Sequence, residues 1–68
     1  MERNFQLNWQ EVVEEAISRR KQQRLSQKQL ATIAGVSHPT IVKFERCETS
    51  LKLASIFAIL KILGLLAS

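Results

Sequence analysis

Apolar residues return three and four positions apart at Val12, Val13, Ala16 and Ile17, the spacing that lines one face of an α-helix. Asn8 precedes this run as an N-cap, with Glu11 three residues on to complete a capping box. Leu7 and Val12 stand where a hydrophobic staple would close. The pattern predicts a first helix from about Trp9 to Gln23. Ser26 and Gln29 form a second capping box, and Leu30, Ala31, Ile33 and Ala34 supply the apolar face of a short second helix that Gly35 ends. Ser37 caps a third helix, with Pro39 in its first turn, where a missing N–H costs little. Ile41, Val42 and Phe44 are its apolar positions. After a connection at residues 47 to 50, a fourth helix is predicted from about Lys52 to Leu63, with Gly64 at its end. On it, Leu53, Ile56, Phe57, Leu60 and Leu63 share one stripe, read as the core face. Ala58, Ile59, Ile62 and Leu66 fall on a side that a monomer leaves wet.

Only Phe5-Gln6-Leu7-Asn8-Trp9 alternates with period two. It reads either as a staple tucked onto the core or as an arm that pairs with a partner chain. Residues 1–8 are therefore treated as an N-terminal arm and residues 9–68 as the domain. One domain is all that 68 residues allow, and a chain this short buries only about 60% of the surface its unfolded form exposes. A hydrophobic share of 46% excludes a disordered tail. The single cysteine leaves no internal disulfide and fits a reducing compartment. The N-terminus has no basic stretch followed by an apolar one. The apolar region from Leu51 to Leu66 is broken by Lys52, Ser55 and Lys61 and falls short of the ~20 residues a membrane span needs. A cytoplasmic protein without a membrane partner is expected.

Charge is distributed unevenly. Glu2, Glu11, Glu14 and Glu15 crowd the first fifteen residues against Arg3. Arg19, Arg20, Lys21, Arg24, Lys28, Lys43 and Arg46 then follow against Glu45 alone. Such a cationic region attracts a polyanion, although acid at the start of a helix and base at its end also answers the helix dipole. Catalysis is not expected: His38 and Cys47 stand roughly 13 Å apart along a helix, too far for a nucleophilic pair. These two side chains make no metal site, and no cofactor is expected.

Two short helices joined around Gly35 form a helix-turn-helix. Ala31 is small where the helices cross, Gly35 supplies left-handed backbone, and Ile41, Phe44, Leu30 and Val36 point into the core. With Arg20, Leu25-Ser26-Gln27, Leu30-Ala31, Gly35-Val36-Ser37, Thr40-Ile41 and Phe44-Glu45-Arg46 in order, and Leu53, Leu60 and Leu63-Gly64 following, the chain resembles the Cro/C1-type (XRE) helix-turn-helix family over about residues 12 to 64. The resemblance implies an all-α, compact bundle of four to five short helices whose third helix docks in the DNA major groove. It also implies a sequence-specific double-stranded DNA-binding transcriptional regulator, most simply a repressor binding a palindromic operator as a dimer.

The first turn of that helix presents Ser37, His38, Pro39 and Thr40, with Lys43 one turn on. Lys43 can donate to guanine or phosphate, Thr40 offers a hydroxyl and a methyl, His38 can donate to a base or phosphate, and Pro39 makes apolar contact only. Gln27 matches a family residue that holds the DNA backbone. Arg46, Lys28 and Arg24 are candidate phosphate contacts, with a solvated basic face as the alternative for Arg24 and Lys28. The resemblance pairs Arg20 with Glu45 to fix the reading helix. Two departures stand out. Cys47 takes a position where the family usually has glycine, read as tolerated in a slightly different turn in preference to a redox sensor. Arg19 replaces an apolar core residue, with Ile17 expected to take over its packing.

Ile59, Ile62 and Leu66, with Phe5, Leu7 and Trp9 as further candidates, are expected to form a homodimer contact rather than a merely greasy surface. The second functional class is an antitoxin: short members of the family hold a kinase-type toxin and repress their own operon. A membrane-surface role for residues 51 to 66 is disfavoured by its two lysines.

Overall fold

Among the described residues, four helices account for the apolar periodicity: α1 (Trp9–Gln22), α2 (Gln27–Ala34), α3 (His38–Glu45) and α4 (Leu53–Ile62). The computed structural model describes residues 8–66, so the alternating segment falls outside it except for Asn8 and Trp9. Among the described residues there is no strand, and no helix is long and apolar enough to cross a membrane. The fold is all-α.

The helix starts follow the capping chemistry. Asn8 lies at φ −91°, ψ 107° and its side chain accepts the Glu11 amide N–H at 3.2 Å. The Ser26 box forms in both directions: Ser26 Oγ accepts from the Gln29 amide at 3.0 Å, and Gln29 Oε1 accepts from the Ser26 amide at 2.8 Å. Ser37 caps α3, with proline in the first turn. Lys52 begins α4 without a side-chain cap.

All four helices end in one way. A left-handed residue follows each: Arg24 (φ 59°), Gly35 (φ 74°), Cys47 (φ 65°) and Gly64 (φ 75°). Around each, two amide N–H groups fold back onto the last carbonyls. Leu25 reaches Arg20 at 3.1 Å, Val36 reaches Ala31 at 3.0 Å, Glu48 reaches Lys43 at 3.1 Å and Leu65 reaches Leu60 at 2.8 Å. Arg24, Gly35, Cys47 and Gly64 themselves donate to the carbonyls three residues back. Carbonyls that a helix end leaves unpaired are satisfied in this way. Cys47 therefore keeps the left-handed turn rather than adopting a different one, at a cost on the order of 1 kcal/mol.

Val13, Ala16, Leu30, Ala31, Ile41, Phe44, Ile59, Leu60 and Leu63 form the core. Trp9 sets its ring edge-to-face on Phe44, centroids 5.6 Å apart. Two expectations about faces change. Ile33 is exposed, so α2 buries Leu30 and Ala31 instead. On α4, Ile59 is 0% exposed while Leu53 and Phe57 are 63% and 43% exposed. The inward stripe is Ile56, Ile59, Leu60 and Leu63, rotated by about 50° from the one expected. The reason is that α4 is apolar nearly all round, so its periodicity does not select a face; packing against α2 does. Ile59 is accordingly unavailable for a dimer contact. Leu66 is half-buried against the core and Ile62 is exposed; Trp9 is half-buried on the core, and Phe5 and Leu7 lie outside the described residues.

Candidate nucleic-acid interface

The connection between α2 and α3 is Gly35, Val36 and Ser37. A Cβ at Gly35 would meet nothing within 4 Å, so glycine is required there for its backbone and not for space. Val36 packs against the core and Ser37 starts α3. Ser37 Oγ accepts the Thr40 amide N–H at 3.2 Å, and the two hydroxyls lie 2.7 Å apart. Ile41 and Phe44 are fully buried and fix which way α3 faces. Its other side is left to solvent: His38, Pro39 and Lys43 are exposed, and Thr40 is half-buried beside them.

A clamp behind α3 holds it in place. Arg20 on α1 reaches Glu45 at the end of α3 through Nε to Oε2 at 2.6 Å and Nη2 to Oε1 at 3.2 Å. Arg20 Nη1 also donates to the Leu25 carbonyl at 2.8 Å. Gln27 Nε2 donates to Glu45 Oε1 at 2.8 Å. One carboxylate thus ties α1, the first residue of α2 and the end of α3 together. Planar guanidinium and carboxylate match in a two-pronged pair that fixes orientation as well as distance.

The remaining basic side chains lie at the surface. Lys28, Arg24 and Arg46 are exposed; Arg46 is the residue that follows α3. Gln27 is half-buried by its bond to Glu45, a link with no signature in sequence spacing. Arg19 has a role that its position in the sequence did not reveal. Its Nη1 donates to the Leu63 carbonyl at 3.3 Å and the Gly64 carbonyl at 3.0 Å, and its Nε pairs with Glu15 at 3.1 Å. A cation thereby neutralises the negative end of α4. Ile17 does pack against the core.

A family model described as helix-turn-helix matches residues 17–66, which contain the whole of α2, the turn, α3 and α4. The chain belongs to the helix-turn-helix family. This is the Cro/C1-type family that the residue pattern resembles. An uncharacterized HTH-type transcriptional regulator of Haemophilus influenzae is 38% identical over 53 residues, covering 78% of this chain and 54% of that protein. The chain spans about half the length of this curated helix-turn-helix relative.

Proposed function

We propose that this chain is a sequence-specific double-stranded DNA-binding transcriptional regulator, acting as a repressor that covers a palindromic operator as a dimer. The observation that carries this reading is the outward face of α3. Its buried residues commit one side to the core, leaving His38, Pro39, Thr40 and Lys43 at the surface on a capped first turn. A recognition helix meets base edges with its N-terminal residues. Lys43 suits guanine O6 and N7, and the Thr40 methyl suits that of thymine.

Phosphate contacts would come from Lys28, Arg46, Ser37 and Gln27, with Arg24 near the start of α2. Gln27 has one amide hydrogen committed to Glu45 and keeps the other for a phosphate oxygen. The N-terminus of α2 favours an anion there. These contacts set register and affinity, while α3 sets sequence. Two α3 helices on a two-fold axis would fall about 34–36 Å apart, one turn of duplex. Selecting bound sequences from a random duplex pool tests the reading. An enriched motif with inverted half-sites spaced by about one turn is expected; a pool left unenriched overturns it.

A further inference from the structure

Beside α1 and α4, and lined by no residue of α2 or α3, runs an apolar groove of about 720 Å³. It exists because α1 packs chiefly on α3 and α4 chiefly on α2, so the two outer helices meet little. At the last turns of α1, Arg19 ties it to the Leu63 and Gly64 carbonyls at 3.3 and 3.0 Å. Among the described residues, no side-chain hydrogen bond joins the first half of α1 to α4. Two observations mark this open end as unfinished. The Trp9 indole N–H is buried and has no acceptor among the described residues, and an unpaired buried donor is costly. Leu53 and Phe57, one helical turn apart, stand exposed on the α4 wall, an arrangement expected where an apolar surface is to be covered.

The chain itself delivers an occupant to this place. Asn8 and Trp9 both line the groove, so the seven residues before them join the molecule at its mouth. Those residues, 1–7, lie outside the described ones. Asn8 is extended, at φ −91° and ψ 107°, and its side chain accepts the Glu11 amide at 3.2 Å. A cap of this kind sets the entering chain so that the residue before it meets the fourth residue of the helix. Here these are Leu7 and Val12, and Val12 lines the groove. Phe5 shares the parity of Leu7, with Gln6 between them. In extended chain it projects to the same side about 7 Å further on. Packed helices lie about 8–10 Å apart, so that step carries Phe5 from the α1 side to the wall formed by Leu53 and Phe57.

We propose that residues 1–7 fill this groove as a strap of their own chain. Leu7 sits on Val12 and Phe5 covers Leu53 and Phe57, while a main-chain carbonyl of the segment accepts the Trp9 indole N–H. The strap ties the first turn of α1 to α4, as Arg19 ties its last turns. Because α1 also carries Arg20, which holds α3 through Glu45, the strap steadies the helix that bears the clamp. The inference stands whether or not the chain regulates transcription.

Isotope-filtered NMR of the full chain tests it, with labelled and unlabelled copies mixed so that contacts within and between chains separate. Nuclear Overhauser contacts within one chain are expected from the Leu7 methyls to Val12 and from the Phe5 ring to Phe57. The indole N–H of Trp9, the single tryptophan, should exchange slowly with solvent. Phe5→Asp and Leu7→Asp should each speed that exchange by about tenfold or more, because a carboxylate is costly in an apolar groove. Both positions precede the first helix, so far-UV helicity should persist. Phe5→Leu and Leu7→Met, which keep apolar bulk, should leave the exchange near that of the parent. Should an Asp variant lose helix, the contacts in the parent chain still decide. The same contacts found only between chains overturn the proposal and make the segment a pairing arm. Absence of both contacts overturns it as well, as does an indole exchange rate indifferent to both Asp substitutions.

Discussion

Arg20 and Glu45 face each other across the back of α3, joined by contacts of 2.6 and 3.2 Å, with only 12% and 9% of their side chains exposed. The pair links helices that are 25 residues apart in sequence, and Gln27 shares the same carboxylate. Removing one partner from such a pair strands the other charge in a largely dry place. Glu45→Ala is expected to destabilise the fold by about 2–3 kcal/mol, read from urea unfolding. Equal stability of variant and parent would show that the clamp is ornamental.

Arg24 and Cys47 occupy left-handed backbone at φ 59° and 65°, where an L side chain is strained. Arg24→Gly is expected to raise stability by roughly 1 kcal/mol. Cys47→Gly should gain less, because the half-buried thiol also packs against the core. Thermal unfolding of the two variants checks both the sign and the order. A loss of stability in Arg24→Gly would mean that its turn relaxes in solution.

These four helix ends show what the sequence made legible. Gly35 and Gly64 mark their turns because glycine is the residue a left-handed position favours. Arg24 carries no such mark, and its turn exists because Leu25 and the α1 carbonyls draw the chain back. The caps at Asn8, Ser26 and Ser37 were legible for the same local reason. The orientation of α4 was not, since a helix apolar on every side offers no contrast. Nor were the contacts of Arg19 and Gln27, which depend on tertiary closure across 44 and 18 residues. The outward residues of α3 could be read because Ile41 and Phe44 fix its inner face.

Gly64 is constrained twice. Its φ is +75°, and a Cβ there would lie 3.3 Å from Arg19 Nη1, an atom already held by two carbonyls. Gly35 has the same backbone and open space. Gly35→Ala is therefore expected to cost about 1 kcal/mol from backbone strain alone, and Gly64→Ala measurably more. The excess should vanish in an Arg19→Ala background, a coupling that a double-mutant cycle isolates. Additive effects of the two substitutions would disconnect Arg19 from the end of α4.

His38 and Lys43 lie on the free face of α3 and take no intramolecular side-chain bond in the described structure, so their loss should leave the fold intact. His38→Ala and Lys43→Ala are each expected to weaken binding to the selected operator by about 1–3 kcal/mol, with helicity unchanged. Lys28→Ala and Arg46→Ala should instead weaken binding to all sequences alike and flatten the salt slope. If a dimer neutralises six or more phosphates, raising salt from about 50 to about 200 mM should lower affinity by about 10³ or more. Electrophoretic or fluorescence titration at several salt concentrations separates these effects. Binding that survives both α3 substitutions would take that helix out of the groove, and a flat salt response would leave the basic face without a polyanion to meet.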